Sequence, residues 1–590
     1  MPTTQSVYTK RLQDFEQDLK QLKKKLFASS MLRLLIFLLT VFGVYIAFGN
    51  TPYVMGVLVL GIGLFLSLIS RHANLQYKKE KLQQLIAINQ TELQVLNRNF
   101  SSLPDGEEFK NPQHAFSQDI DLFGKRSFFQ YLNRTALSSG KQQLADYLTG
   151  NAIKNIPHKQ DAVKNLAKLI DFRQNFTAVA GMVKTKIRNS VIIDWLRNYQ
   201  AFVPKIFKWL PTVFTIASAL LIVAFSFNFI SGWFLGGWLL LGWLIVSRYL
   251  KKVGQLSSYV SEVQNTFQQY YLLLELLENT SFEAEILQEK KASIQTETKK
   301  ASVLLKEFSK RIDALERRNV LIFGQLMTGL MLWDLKQAYH LEQWLIQHQQ
   351  RVENWFETID FFDAYNSLGN FAYNHPNYVF PEIEQSNTVL KATEAAHPLL
   401  NSQEAVTNDF KIDQHEFFIV TGANMAGKST FLRTVSLQIV MANVGLPVYA
   451  KTCSYSPIQL ITSMRTVDSL ADEASYFYAE LSRLKFIVER LKNETYFIIL
   501  DEILKGTNST DKAIGSRKFI EKLVGSQSTG IIATHDLSLC EVAEELPQVK
   551  NYYFDAEIIQ DELHFDYTLK KGICKNMNAS FLLKKMEIVD

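Results

Sequence analysis

Long apolar runs with almost no charge interrupt an otherwise mixed chain. The first pair covers 31–49 and 53–70, joined at Asn50-Thr51-Pro52, and the second covers 209–230 and 231–247. Each run has about the length that an α-helix needs to cross the hydrocarbon core of a bilayer. Two buried core hairpins are the alternative, but four nearly uncharged runs of this length favour two transmembrane helical hairpins.

Basic residues flank both apolar pairs, whereas the tips of the pairs carry no charge. The flanking residues are Lys23, Lys24, Lys25, Arg71, Lys78 and Lys79 for the first pair, and Lys205, Lys208, Arg248, Lys251 and Lys252 for the second. Because positive charge accumulates on the cytoplasmic side of spans, both hairpins are expected to point outward. The pattern predicts a multi-pass protein of the cell (inner) membrane whose remaining segments lie in the cytoplasm.

Helical periodicity dominates the segments around the apolar runs. Residues 1–30 predict an amphipathic helix, and 72–100 predict a helix that continues from the membrane as a stalk. The stretch 321–335 is apolar but short and contains Gln325, so a buried helix is favoured there over a fifth span. After His375-Pro376, short β-rich runs and then alternating strands and helices predict a parallel sheet with helices on both faces.

Length, charge and cysteine content add only broad limits. A chain of 590 residues exceeds one hydrophobic core, so several domains are expected. The net charge of +5 does not by itself indicate a nucleic-acid binder. Three widely spaced cysteines lack metal-ligand spacing, which predicts neither a disulfide framework nor a zinc site.

The most specific chemistry lies in TGANMAGKST, residues 421–430. This is G-x-x-x-x-G-K-S between an apolar run and a predicted helix, the context that a phosphate-binding loop requires. Its glycines allow backbone N–H groups to face a polyphosphate, Lys428 reaches the β- and γ-phosphates, and the Ser429 hydroxyl binds Mg²⁺. The predicted nucleotide-binding residues of the loop are Gly422, Asn424, Met425, Gly427, Lys428, Ser429 and Thr430.

Two further strand ends are predicted to face the same nucleotide. The apolar run 496–500 ends in Asp501, a predicted Mg²⁺ partner, and Glu502, which would orient or deprotonate the attacking water. A second run ends at His535, which either contacts the γ-phosphate or the water, or caps a helix. Lys428, Glu502 and His535 are therefore the predicted catalytic residues of an enzyme that hydrolyses ATP with Mg²⁺.

The loop TGANMAGKSTFLR, with Asn424-Met425 inside it, resembles the phosphate loop of the MutS mismatch-repair ATPases. Similar elements occur in the family's order on both sides of this loop, before it at 394–398 and 406–409 and after it at 468–480, 501–511, 534–535 and 572–579. Further upstream, residues 119–150 resemble the start of the family's core domain and residues 354–383 resemble its end. The resemblance implies an α/β P-loop NTPase domain with an ABC- or MutS-like parallel sheet, joined to an all-α core and lever domain. It also implies a homodimer in which Ser475 reaches the partner's nucleotide in trans.

Departures from the family's pattern are as informative as the matches. The mismatch-reading domain with its Phe-x-Glu wedge is not recognised in 1–113, and the DNA-gripping clamp has no obvious counterpart. Ala405 stands where an aromatic residue would stack on the base, which leaves adenine or guanine selectivity open. Lys505 replaces the arginine that is usual after the two carboxylates.

The predicted function is a membrane-anchored MutS-like ATPase with a composite dimer site. DNA binding, including mismatched DNA, is implied only by the resemblance. Its candidate contacts are Lys290, Lys291, Lys299, Lys300, Lys306, Lys310, Arg311, Arg317 and Arg318, which equally fit a solvated helix face because acidic residues are interspersed. The alternatives are an ATP-gated membrane scaffold and a transporter-like ATPase, both without a DNA role.

The predicted organisation has seven parts. They are an N-terminal helix (1–30), a first transmembrane hairpin (31–70), a stalk and linker (71–113), the first part of a helical core (114–205), a second transmembrane hairpin (206–250), a helical lever and core (251–385) and a MutS-like ATPase domain (386–590).

Overall fold

The fold is taken from a computed structural model, which describes residues 3–183, 189–295, 299–319, 321–465, 476–505, 507–559 and 562–574. Three sequence predictions fall outside these ranges: the trans contact of Ser475, the segment 468–474 before it, and the closing pair Asn578-Ala579.

Two long helices, α1 (Thr4–Ile46) and α2 (Thr51–Leu96), pack along each other as an antiparallel arm. At 1.5 Å per residue they are about 65 and 69 Å long. The predicted N-terminal helix and the first apolar run are therefore one continuous helix, and the second run continues without a break into the predicted stalk. Helix α2 begins with Pro52 in its first turn, where the missing N–H is not needed.

The two halves of the arm have opposite surroundings. By length and composition, α1 and α2 can each cross a membrane, and their apolar segments bury almost nothing against the protein. Leu60 is 67% exposed and Phe48 is 86% exposed. The polar halves instead pack on the body, where Arg11 forms an ion pair of 2.7 Å with Asp171. The apolar half therefore needs an environment that the described protein does not supply.

The body from Phe128 to Asn374 is almost entirely helical in the described ranges. Its helices are α3 (Phe128–Leu132), α4 (Ser138–Thr149), α5 (Ile156–Lys168), α6 (Ile170–Ala180), α7 (Asn189–Arg197), α8 (Leu210–Ser226), α9 (Gly232–Ser247), α10 (Leu250–Asn279), α11 (Glu285–Ser293), α12 (Ala301–Glu316), α13 (Leu321–Met331) and α14 (Trp333–Asn374). Together they form the large helical region that the sequence predicts. The longest of them, α14, ends directly before the segment that leads into the sheets.

The second apolar pair forms shorter helices than the first. With 17 and 16 residues, α8 and α9 are about 26 and 24 Å long, below the roughly 30 Å of a bilayer core. Helix α9 reaches spanning length only if it is counted together with α10, and these two helices are bent by 67°. The prediction that this pair crosses a membrane therefore stays a prediction.

The apolar helix α13 packs against both members of the second pair. The Ser218 hydroxyl on α8 donates to the Leu330 carbonyl oxygen at 2.6 Å, and the Trp238 indole on α9 donates to the same hydroxyl at 2.8 Å. One serine thus joins three helices, which satisfies polar groups inside an apolar cluster. The stretch 321–335, predicted as one buried helix, is divided between α13, which ends at Met331, and the start of α14, and Leu326 on α13 is 47% exposed.

The C-terminal part is built on two sheets. Their strands are β1 (Glu382–Ile383), β2 (Thr388–Ala395), β3 (Asn408–Asp413), β4 (Phe417–Gly422), β5 (Thr452–Tyr455), β6 (Gln459–Ser463), β7 (Tyr496–Asp501), β8 (Thr529–Ala533), β9 (Val549–Phe554) and β12 (Lys570–Lys571), with β10 (Ala556–Ile559) and β11 (Glu562–Phe565) as a separate hairpin. The larger sheet has the order β12-β9-β4-β8-β7-β6, and its strands pair in parallel except for β12. The smaller sheet has the order β1-β5-β2-β3.

Helices cover both faces of the larger sheet. They are α15 (Lys428–Asn443), α16 (Tyr476–Arg490), α17 (Ser509–Gly525) and the short α18 (Val542–Glu545). Successive residues of β4 point to opposite sides, so Phe418 packs in one hydrophobic cluster with Leu432 of α15, whereas Ile419 packs in another with Ile520 of α17. Burial on both sides explains why this strand is a continuous apolar run.

Candidate functional site

The candidate site lies at the carboxyl ends of β4, β8 and β7, which are neighbours in the larger sheet. The carboxyl ends of parallel strands meet at one edge, so the segments that follow these three strands converge there. They carry Lys428 and Ser429 after β4, Asp501 and Glu502 at the end of β7, and His535 after β8. The structure therefore brings together the residues that the sequence predicts to act on a nucleotide.

The turn between β4 and α15 depends on two glycines with positive φ. Gly422 has φ 147°, and a Cβ atom there would lie 2.5 Å from the Phe554 carbonyl oxygen. Gly427 has φ 108°, and a Cβ atom there would lie 3.3 Å from the Tyr567 ring. Side chains at these positions would clash or be strained, so the motif's glycines are required by the backbone path. Met425, at the outer bend of the loop, is 78% exposed.

Lys428 closes the loop from inside. Its Nζ atom donates to the carbonyl oxygens of Gly422 at 2.8 Å and Ala423 at 3.0 Å. The side chain is buried, and this burial lowers the pKa of the Lys428 ammonium group. Since α15 begins at Lys428, the free N–H groups of its first turn face the same space, and a helix N-terminus attracts anions.

Ser429 and Asp501 form the oxygen-rich part of the site. The Ser429 hydroxyl donates to Asp501 Oδ2 at 2.8 Å. One hydroxyl and one carboxylate are too few to hold Mg²⁺ alone, but Mg²⁺ commonly completes its octahedron with water and substrate phosphates. Within the described ranges there is no cluster of three or more His, Cys, Asp or Glu side chains that could hold a metal without such help. The pair therefore fits Mg²⁺ that arrives with a nucleotide.

Glu502 is held by two basic side chains. Its Oε1 atom lies 2.8 Å from His535 Nε2, and its Oε2 atom lies 3.4 Å from Lys505 Nζ. The hydrogen bond from His535 is the main cause that lowers the pKa of Glu502, to about 2. Glu502 also has a φ of 51°, which is unusual for a residue with a side chain. The carboxylate is thus fixed in a strained position at the edge of the sheet, and strain of this kind is concentrated at functional sites.

His535 lies between the carboxylate and the phosphate loop. A carboxylate can only accept a hydrogen bond, so the short contact with Glu502 requires that His535 Nε2 carries the proton. The same atom lies 3.2 Å from Lys428 Nζ, but with its proton directed to Glu502 it cannot accept a hydrogen bond from Lys428. The sequence leaves a helix-capping role open for His535, but the side chain points into the site.

A cleft of about 680 Å³ opens in front of these residues, which is a sufficient volume for a small-molecule ligand. Its walls include Asn424, Met425, Gly427 and Thr430 of the loop and Ala405 on the opposite side. Another wall residue is His397, whose pKa is lowered to about 4 by burial, so that its ring is neutral at physiological pH.

Tyr567 is a wall residue that the sequence did not single out. It follows the β10–β11 hairpin, and its carbonyl oxygen accepts a hydrogen bond of 3.0 Å from Asn408 Nδ2. Its ring supplies an aromatic surface in a cleft where Ala405 offers none. No local pattern marks this tyrosine, because its position beside Gly427 depends on how the C-terminal strands return to the sheet.

The wall of the cleft is also tied to the helical arm. Arg98, just beyond the end of α2, donates from Nη1 to the Pro398 carbonyl oxygen at 3.0 Å and from Nη2 to the carbonyl oxygen of Leu400. Leu400 lines the cleft. The arm and the wall therefore share a direct contact.

Comparisons with known proteins place this site in a family context. The family model described as MutS domain V matches residues 418–586. The chain is 27% identical over 275 residues to the human MutS protein homolog 4, a match that covers 43% of this chain and 28% of that protein. It is 32% identical over 230 residues to the DNA mismatch repair protein MutS of Methanosarcina mazei, which covers 38% of this chain and 25% of that protein.

A third relative gives a similar result. The DNA mismatch repair protein MutS of Staphylococcus haemolyticus is 30% identical over 273 residues, covering 44% of this chain and 30% of that protein. The matched region thus spans between a quarter and a third of the length of these relatives. Residues 418–586 are therefore similar to MutS domain V, and the mixed α/β sheets with the large helical region fit a MutS-like architecture.

Proposed function

We propose that this protein is a membrane-anchored ATPase that binds and hydrolyses ATP in the cleft at the edge of the larger sheet. The observation that carries the proposal is the convergence of Lys428, the Ser429–Asp501 pair and the Glu502–His535 pair on one cleft. They supply a cation that can bind phosphate, a hydroxyl and a carboxylate oxygen that can bind Mg²⁺, and a carboxylate fixed in position to orient water. Phosphoryl transfer to water requires these groups. The similarity to MutS domain V supports the same chemistry.

Each side chain has a distinct part in the proposed reaction. The N–H groups at the start of α15 and the Lys428 ammonium group bind the β- and γ-phosphates and stabilise the charge that develops on them. Ser429 and Asp501 would hold Mg²⁺, which neutralises phosphate charge when bound. Lys428 must then exchange its carbonyl partners in the loop for phosphate oxygens.

Glu502 is better suited to orient the attacking water than to remove its proton early. A carboxylate with a pKa of about 2 is a weak base, because base strength follows pKa. It is fully ionised at neutral pH and offers two fixed acceptor oxygens, of which Oε1 is engaged by His535. Of the two roles that the sequence allows, the structure therefore favours orientation.

A closed dimer is the proposed active form. The family resemblance assigns Ser475 to the partner's nucleotide in trans, and this residue lies outside the described ranges. Met425 of the phosphate loop is 78% exposed beside the cleft, which leaves this side accessible to a second copy. ATP would then favour the closed dimer because only the triphosphate supplies contacts to both copies.

Anchoring in a bilayer follows from the surface of the arm. The apolar halves of α1 and α2 expose bulky aliphatic and aromatic side chains over a length that matches a membrane span. Basic residues lie at the base of the arm and none lie at its tip, so the tip is proposed to face outward and the ATP cleft the cytoplasm.

A cysteine placed at the tip should be labelled from outside the cell. The native cysteines Cys453, Cys540 and Cys574 are buried, which keeps the background low. With Asn50→Cys, a membrane-impermeant maleimide should react in intact bacterial spheroplasts, whereas Asn97→Cys, exposed at the other end of α2, should react only after lysis. Equal labelling of the two variants in intact spheroplasts would contradict the proposed topology.

The described surface offers little support for a DNA-binding face. Several of the candidate basic residues are engaged within the protein: Lys291 donates to the Thr280 carbonyl oxygen at 2.7 Å, and Arg318 lies 3.5 Å from Asp334. Lys306 lies over the Tyr271 ring at 5.2 Å. DNA binding therefore stays a prediction that rests on the relationship to mismatch-repair proteins.

Phosphate release from the purified full chain tests the proposed function directly. We expect Mg²⁺-dependent hydrolysis of ATP in detergent without any DNA, since the cleft contains its own catalytic groups. The same assay with duplex DNA and with lipid vesicles separates the roles. Stimulation by DNA that declines steeply with salt would establish phosphate contacts to DNA, and absence of hydrolysis under all three conditions would reject the ATPase.

A further inference from the structure

A second cleft lies between the two helices of the arm, below the apolar segments. It has a volume of about 360 Å³, and its lining includes Asp18, Gln21, Lys25, Lys78, Lys81 and Asn175. Three lysines from two helices thus face one space together with a single carboxylate. Nothing in the proposed ATPase cycle uses this cleft, which is far along the arm from the carboxyl edge of the larger sheet.

The lysines converge because the two helices run in opposite directions. A Cα–Cβ bond tilts toward the N-terminus of its helix. Lys25 on α1 therefore leans away from the apolar segment, whereas Lys78 and Lys81 on α2 lean toward it. Counting along the helices at 1.5 Å per residue, Lys25 lies about 9 Å before Met31, and Lys78 and Lys81 lie about 12 and 17 Å beyond Ser70. The three ammonium groups are thus directed to a common level just below the proposed membrane boundary.

Of the lining residues that the structure describes, Asp18 is the single acidic one, against three lysines, and the stretch 19–79 lies between Asp18 and Glu80. In the described residues none of these three lysines forms an ion pair, and Lys81 is partly buried, which lowers the pKa of its ammonium group. From Leu19 to Lys79 the sequence contains no Asp or Glu. The basic residues in that stretch are Lys20, Lys23, Lys24, Lys25, Arg33, Arg71, Lys78 and Lys79. Three cations that line one cleft with a single carboxylate favour an anionic ligand.

Polar groups that can complete such a site are also present. Gln21 from α1 and Asn175 from the body helix α6 bring amide groups to the same cleft, although Asn175 Nδ2 already donates one of its two hydrogens to the Asp171 carbonyl oxygen at 2.8 Å. A phosphate group has several acceptor oxygens and prefers charged and amide donors. Asp18 disfavours an anion, but it is one carboxylate against three ammonium groups.

We propose that the lysine cleft, formed by Lys25, Lys78 and Lys81, binds a phosphate group at the base of the membrane arm. Two sources share this chemistry, the headgroup of an anionic phospholipid and a free phosphate anion. The inference depends on the proposed membrane anchoring only if the ligand is a phospholipid headgroup. Clusters of basic residues next to the cytoplasmic end of a span attract anionic lipids, and a cleft adds defined contacts to that general attraction.

The test is a binding titration of the purified full chain in neutral detergent. The probes are short-chain phosphatidylglycerol, inorganic phosphate, and short-chain phosphatidylcholine as a zwitterionic reference. The triple variant K25Q/K78Q/K81Q removes the cleft charges, and K20Q/K23Q/K24Q removes the same charge from the same arm outside the cleft. Loss of charge-assisted hydrogen bonds should weaken phosphatidylglycerol binding at least about tenfold in the first variant and much less in the second.

The outcomes separate the two sources and the two proposals. If inorganic phosphate binds with the same dependence on the cleft lysines, the ligand is a free phosphate anion; if only phosphatidylglycerol does, it is a lipid headgroup. Equal weakening in both triple variants, or no binding by the wild-type chain, would overturn the cleft as a phosphate site. The assay needs no bilayer, so failure of the Asn50→Cys labelling would reject anchoring without touching this result. Unchanged ATP binding and thermal unfolding of K25Q/K78Q/K81Q would show that the variant is folded.

Discussion

Glu502→Gln should reduce ATP hydrolysis by about 100-fold, the order of loss that follows when a reacting group is no longer held in place. The amide keeps the shape of the side chain, but it is neutral and has one acceptor oxygen where the carboxylate has two. It can no longer orient a water through a charged oxygen beside His535. Nucleotide binding should persist, because Lys428, Ser429 and Asp501 are unchanged. Single-turnover phosphate release and equilibrium ATP binding measure the two effects separately.

Glu544→Gln is the matched control for this substitution. Glu544 is exposed on α18, and its substitution removes the same negative charge away from the cleft. It should leave hydrolysis at the wild-type rate. Undiminished hydrolysis in Glu502→Gln would refute the assignment of Glu502, and equal losses in the two variants would point to a general effect of charge.

The pH dependence of ATP hydrolysis is a second, independent test of the role of Glu502. A folded-state pKa of about 2 lies below the ordinary value of 4.5, so the charged form of Glu502 is favoured and protonation occurs only as the pH falls toward 2. Lowering the pH from 7 to 5 should therefore not remove activity through this group. An acid limb in kcat/KM between these values would have to come from another residue.

Lys428→Met is expected to have the largest effect on nucleotide affinity. Methionine keeps an unbranched apolar stem in a buried position but removes the ammonium group that reaches the phosphates. Because a hydrogen bond to a charged group contributes about 1.5–3 kcal/mol, the Kd for Mg-ATP should rise by a factor of about 10 to 150. Isothermal titration with Mg-ATP measures this change directly.

Lys518→Met serves as the control for loss of a lysine on the same domain. Lys518 is exposed on α17 and does not line the cleft. Its substitution should leave the Kd unchanged. An unchanged Kd in Lys428→Met would contradict the phosphate-binding role of Lys428. The two variants in the cleft should therefore differ, because Lys428→Met weakens nucleotide binding whereas Glu502→Gln slows turnover.

The nucleotide cleft could be predicted from sequence because its parts are local. A strand, a glycine turn and a helix start are contiguous at 417–431, and Asp501 follows directly from its own buried strand. Each element carries its signal within a few residues, and the parallel sheet brings the strand ends together. The same reasoning identified the apolar pairs and the long helical region.

The contributions of Tyr567 and Arg98 could not be predicted in the same way. Tyr567 reaches the cleft only through the return of the chain by β9 to β12, and Arg98 reaches it by the docking of α2. Both depend on contacts between residues far apart in sequence, for which a single sequence has no periodic signal. The sequence also did not predict that the N-terminal helix and the first apolar run form one helix. The composition changes from polar to apolar near residue 30 and resembles a boundary there, although α1 continues without a break.

Arg98 has a mechanical consequence. Arg98 lies two residues beyond α2 and donates hydrogen bonds to the backbone carbonyl oxygens of Pro398 and Leu400 at the rim of the cleft. The rim cannot shift without either losing these bonds or displacing the end of a rod that is about 69 Å long. If ATP binding moves this rim in the proposed ATPase, it acts on the end of the rod as well, and by reciprocity the position of the rod would act on ATP binding. In the proposed membrane-anchored form, forces on the rod, including those from the thickness or curvature of the bilayer, would then bias the affinity for the nucleotide.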